Sequence, residues 1–128
     1  LLKDIAFTIT DVLPLDNLVL AMLTIFSFAA IVATFVSHTV ASLILMPVIS
    51  QVGVSLEAPG PVVLGTALAV SAAMGLPFSS FPNVNSLLIT DDFRQTYLSA
   101  GDFLTTGLPL SVISVILIVL ATTLLTPF

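Results

Sequence analysis

The sequence predicts an all-α integral membrane protein, and three observations carry that reading. The 128 residues are 58% hydrophobic and only 7% charged. A soluble domain is about one quarter charged, so this chain lacks the polar groups to cover a globular surface. The charges are also confined to islands. Lys3, Asp4, Asp11 and Asp16 open the chain, Glu57 stands alone, and Asp91, Asp92, Arg94 and Asp102 cluster late. Finally, long apolar runs between the islands are interrupted twice by polar or proline-rich residues, at Ser37-His38-Thr39 and at Pro77 to Asn83.

Several function classes drop out at once. Two basic residues and a net charge of −5 give no electrostatic footprint for nucleic acid. With no cysteine there is neither a disulfide framework nor a thiolate metal site. One histidine beside a serine, with no orienting carboxylate near, is no triad, and no phosphate loop of the Walker type is present. The expected protein is not an enzyme. It opens on Leu1 without a signal-peptide pattern, which reads as an internal or C-terminal piece of a larger protein.

Residues 1–16 place Leu2, Ile5, Ala6 and Ile9 at helical spacing among charges, as in a short interfacial helix. Residues 17–54 form a helical hairpin. Asn17 is suited to cap its first arm, Leu18 to about Val36, and Ser37-His38-Thr39 is its tip. The second arm leaves from Val40, is kinked by Pro47 and stops near Gln51-Val52-Gly53. That arm is only about 20 Å long against about 28 Å for the first, short of a hydrocarbon core of about 30 Å. Unequal arms around a polar tip suit a re-entrant hairpin better than two complete spans.

Glu57-Ala58-Pro59-Gly60-Pro61 is a loop, with Pro61 fit for the first turn of the next helix. Residues 61–92 then read as one discontinuous transmembrane helix. Its first half is the apolar run Val62 to Phe78, and its second half resumes at Val84. Pro77 and Pro82, with Gly75 before them, break the helix near Ser79 to Asn83. Residues 93–102 are a polar loop whose acids are solvated. Residues 103–126 are charge-free and long enough to cross, bent at their start by Gly107 and Pro109. Lys3 and Arg94 fall on opposite sides, so the positive-inside rule gives no orientation.

The chemistry resides in the two breaks. Each is followed by a new helix, whose first four N–H groups have no internal partner and whose dipole is positive there. Such ends receive anions. Ser37, His38 and Thr39 add side-chain donors at one break, and Ser79, Ser80, Asn83 and Asn85 add them at the other. Carbonyls released around Val36 and Phe78 to Ser80 suit a desolvated cation such as Na⁺. Secondary transporters build midplane sites from broken helices of this kind. His38 as a proton relay is the competing role.

Three segments taken together resemble the divalent anion:sodium symporter family. Ser37-His38-Thr39 is similar to that family's Ser-Asn-Thr hairpin signature. Leu76-Pro77-Phe78-Ser79-Ser80-Phe81-Pro82-Asn83 resembles the loop in its broken tenth transmembrane helix, and Asp102 to Leu110 resembles the start of its final helix. Ser37, Thr39, Pro82 and Asn83 match, while Ser80 replaces a threonine. His38 stands where dicarboxylate carriers have asparagine, and Phe81 where they have the first proline. A histidine there is similar to the fungal low-affinity phosphate transporters, whose full chains carry an SPX regulatory domain.

The resemblance implies half of an elevator-type transport domain that carries an inorganic anion, phosphate above all, in symport with Na⁺. It implies anion ligands Ser37, His38, Thr39, Ser80, Phe81 and Asn83, and sodium ligands Val36, His38 and Ser79. The implied partners are the anion, the lipid bilayer, and the rest of the same polypeptide, comprising an inverted-repeat half and a scaffold domain through which a homodimer forms. The implied location is a vacuolar or plasma membrane. A di- or tricarboxylate or sulfate symporter is the alternative within the family. A channel-like or structural subunit with a re-entrant loop is the alternative outside it.

Overall fold

The computed structural model describes residues 17–125, all helices and connections apart from one isolated β-bridge. The interfacial segment expected over residues 1–16 and the last residue of the expected C-terminal span lie outside them. Helix α1 covers Leu18–Phe35, α2 His38–Ser55, α3 Pro59–Ser71 and α4 Phe81–Leu88. A turn at Ala100–Asp102 and a wider π-type turn at Phe103–Gly107 lead into α5, Leu108–Leu125. Three of these stretches are long and apolar enough to cross a membrane: Leu18–Phe35, His38–Ser55 and Ala100–Leu124.

Asn17 caps α1 as its side chain suggests, its Oδ1 accepting from the N–H groups of Val19 (3.1 Å) and Leu20 (3.4 Å). The second arm departs from expectation. It begins at His38 and runs through Pro47 to Ser55, giving 18 residues, the same as α1. Gly53 does not stop it. The helix ends instead at Glu57, which takes a left-handed φ of 56°, while Ala58 N–H reaches back to the Gly53 carbonyl at 3.1 Å. With equal arms, the length argument for a re-entrant hairpin fails.

Helix α3, 13 residues long, stops at Ser71, well before the expected Phe78. It is the centre of the molecule, packed against α1, α2 and α5. Its approach to α1 depends on small residues. Gly65 lies against the ring of the fully buried Phe26, and a Cβ there would overlap the ring atoms. Ala29, Ala30 and Ala33 continue the buried stripe of α1, which Val62, Ala69 and Val70 meet from α3. Close backbone approach through small residues is how helices associate in lipid, where oily side chains gain little by leaving their solvent. Val115, Val119 and Thr122 close the cluster from α5.

Buried threonine hydroxyls are satisfied within their own helices. Thr34, Thr66 and Thr122 donate to the carbonyls four residues earlier, at 2.7–2.8 Å. Among the described residues no buried side-chain polar atom lacks a partner. The outward faces are apolar, as at Leu43, Ile44, Phe35, Leu117 and Leu124. Such faces suit lipid or further protein, not water.

Between α4 and Ala100 the chain makes a small polar turn, closed by the Thr90–Thr96 bridge. Its acids are more than solvated charges. Asp91 Oδ1 accepts from the N–H groups of Phe93 (2.9 Å) and Gln95 (2.8 Å), holding Arg94 at φ 63°. Asp102 Oδ2 accepts from the N–H (2.7 Å) and hydroxyl (2.8 Å) of Ser99, fixing the entry to the last helix.

Candidate functional site

The two breaks meet. A cavity of about 470 Å³ is lined by Ser37, His38 and Thr39 from the start of α2 and by Ser80, Phe81, Pro82 and Asn83 from the start of α4. Ser71 and Met74 complete it from the end of α3 and the segment that follows. All six residues expected as anion ligands therefore face one space. Among the described residues, no lining side chain is a carboxylate, lysine or arginine.

Ser37 sits in the N-cap position of α2, but its side chain makes no capping bond, and its carbonyl accepts from Ala41 N–H at 2.8 Å. The first turn of α2 is thus not closed by its own cap. The other helix start differs. Ser80 caps α4, its Oγ accepting from Asn83 N–H at 3.4 Å, and Pro82 brings no N–H at all. Helix α4 begins at Phe81, not after Asn83 as the sequence reading had it, and Asn85 does not line the cavity.

What joins the breaks is a carbonyl that sequence reading missed. His38 Nε2 lies 2.7 Å from the Ala73 carbonyl oxygen. Ser79 Oγ lies 3.2 Å from the same oxygen and 2.8 Å from that of Leu76. The fully buried Ser79 hydroxyl also accepts from Asn83 Nδ2 at 3.1 Å, so a chain of hydrogen bonds runs from His38 through Ala73 and Ser79 to Asn83.

The far side of the break is held by α5. Ser111 Oγ accepts from Met74 N–H (2.9 Å) and lies 3.1 Å from the Ala72 carbonyl and 2.8 Å from that of Gly107. Backbone groups freed where α3 ends are therefore met by side chains from α2 and α5. Pro77, with no N–H for the Ala73 carbonyl four residues back, signals that this carbonyl is freed but not what meets it, because the partners lie 35 to 39 residues away.

The expected sodium ligands are only partly assembled. Val36 and Ser79 do not line the cavity, and His38 alone of the three does. Val36 is the extended residue that ends α1, its N–H bonded to Val32 O at 2.9 Å.

No family model matches the chain. Three fungal proteins resemble it over most of its length. An uncharacterized transporter of Schizosaccharomyces pombe is 33% identical over 122 residues, 94% of this chain and 14% of that protein. The homologues are transporters. The inorganic phosphate transporter PHO87 of Saccharomyces cerevisiae is 39% identical over 105 residues, 79% of this chain and 11% of its own. The low-affinity phosphate transporter PHO90 of the same yeast is 41% identical over 105 residues, 79% of this chain and 12% of its own. A phosphate-transporter family fits the chain, in keeping with a membrane protein that is not an enzyme. The chain spans about one eighth of the length of these relatives.

Proposed function

We propose that this chain is part of a secondary active transporter for inorganic phosphate, and that the cavity between α2 and α4 is half of its substrate site. The observation that carries the reading is the convergence of Ser37-His38-Thr39 and Ser80 to Asn83 on one space of about 470 Å³. The uncapped start of α2 supplies N–H groups and dipole, worth about 0.3–2 kcal/mol toward an anion. Ser37, Thr39 and Ser80 supply hydroxyl donors. Among the described residues the lining carries no lysine or arginine, so what these residues offer the ion is neutral dipoles. Two of the homologues are named as phosphate transporters, which favours phosphate over a carboxylate.

The finer reading follows the divalent anion:sodium symporter resemblance. Coupling is to Na⁺, held in part by His38 and the Val36 and Ser79 carbonyls once the other half of the site is present. The hairpin α1–α2 enters to mid-depth, where its tip meets the break after α3. Movement is of the elevator type, and dimerisation uses parts of the polypeptide beyond this segment. A vacuolar or plasma membrane is its setting.

The experiment is uptake of labelled phosphate by the full-length protein, comparing wild type with His38→Ala and Ser80→Ala, in Na⁺ and in choline medium. A raised apparent KM in both variants supports the site. Wild-type affinity in both removes the site assignment. Uptake indifferent to Na⁺ removes the coupling and leaves the substrate standing.

A further inference from the structure

A carbonyl oxygen can only accept a hydrogen bond, so the 2.7 Å contact with Ala73 requires His38 Nε2 to carry the proton. In the neutral ring, Nδ1 is then an acceptor. It has no partner among the described residues, and the ring lines the cavity. Ser37 and Thr39 on either side present hydroxyls, neither spent on the protein among the described residues. The cavity wall therefore sets hydroxyls on either side of the imidazole acceptor, with the Asn83 amide oxygen a second acceptor on the α4 side. A fully deprotonated oxyanion satisfies the donors and repels the acceptors.

We infer that His38, locked by Ala73, is the specificity-determining residue that selects an oxyanion still carrying a hydroxyl, by accepting a hydrogen bond from its P–OH. Inorganic phosphate keeps at least one P–OH as mono- or dianion, and arsenate keeps its As–OH. Sulfate and selenate have the same shape at neutral pH and no proton to give. The inference rests on the phosphate reading of the cavity and names what lets it tell phosphate from its isosteres. Ala73 and Ser79 are positioning groups. The carbonyl fixes the ring, and the buried Ser79 hydroxyl, its one proton shared between this oxygen and the nearer Leu76 carbonyl, helps to hold it. A site built to bond a substrate hydroxyl rejects an analogue that lacks it far more strongly than a site relying on shape.

The test is competition against labelled phosphate uptake by the full-length transporter at neutral pH, with arsenate, sulfate and selenate as competitors. In the wild type, arsenate competes at least about tenfold better than sulfate or selenate. His38→Lys keeps an N–H donor that can reach the Ala73 carbonyl and has no acceptor atom at all. In that variant the arsenate-to-sulfate preference falls about tenfold or more. The preference is a ratio of inhibition constants and does not depend on how much protein reaches the membrane. An unchanged ratio in a working His38→Lys variant overturns the inference while leaving phosphate transport intact. Equal competition by arsenate, sulfate and selenate in the wild type overturns it too, with no variant needed. A wild type that takes up no phosphate overturns the parent reading and this one with it.

Discussion

Gly107 sets its bare α-carbon against the carbonyl of Met74, so closely that a Cβ would overlap the carbonyl oxygen. The contact is backbone on backbone, and neither partner can rotate away. Gly107→Ala is therefore expected to force the π-type turn and the segment after α3 apart, costing about 1–3 kcal/mol. Thermal melting of the detergent-solubilised full-length protein should show a lower Tm. An unchanged Tm means that the two segments do not touch in solution.

Ser111 serves the same junction through hydrogen bonds. Ser111→Ala removes the acceptor for Met74 N–H and a partner of the Ala72 carbonyl. An unsatisfied buried group costs about 1–3 kcal/mol. The readout is local: hydrogen exchange at the Met74 amide should accelerate, with the amides of α1 left as they were.

Glu57 offers a change in the opposite direction. It is exposed and holds a left-handed φ of 56° at the end of α2, a conformation that costs a residue with a Cβ about 1–2 kcal/mol. Glu57→Gly relieves that and keeps the Ala58 to Gly53 bond that closes the helix. The variant should melt higher than wild type. A lower Tm would show that the carboxylate has a role this geometry does not reveal.

Asp91 separates structure from transport. Asp91→Ala deletes the acceptor shared by Phe93 and Gln95 N–H and should loosen the turn around Arg94. Limited proteolysis between residues 91 and 97 should speed up several-fold. Because Asp91 does not line the cavity, the apparent KM for phosphate should stay at its wild-type value.

Local chemistry was legible in the sequence where it is decided locally. Asn17 as a cap, the interruption at Ser37-His38-Thr39 and the prolines of the second break all follow from neighbours in the chain. The partners at the end of α3 do not. Pro77 has no N–H to meet the Ala73 carbonyl four residues back, which is a local reason for the helix to end, but Ser111 and His38 reach the freed Ala72 and Ala73 carbonyls from far away in sequence. The equal arms of the hairpin were hidden for a related reason. Gly53 reads as a stop, yet it stays helical, and its missing side chain makes room for Pro59 and Val62. Candidate ligands were recognisable by residue type, but the bond that fixes the His38 ring was not.

The Ala73 carbonyl has a mechanical consequence. It belongs to the end of α3, is bonded by the first residue of α2, and is approached by the hydroxyl just ahead of α4. Sliding any one of these past the others would break the bond that holds the half-buried imidazole and leave the Ala73 carbonyl unpaired, at about 1–3 kcal/mol. The three pieces are latched at a single atom, and a displacement that moves the cavity carries its walls together.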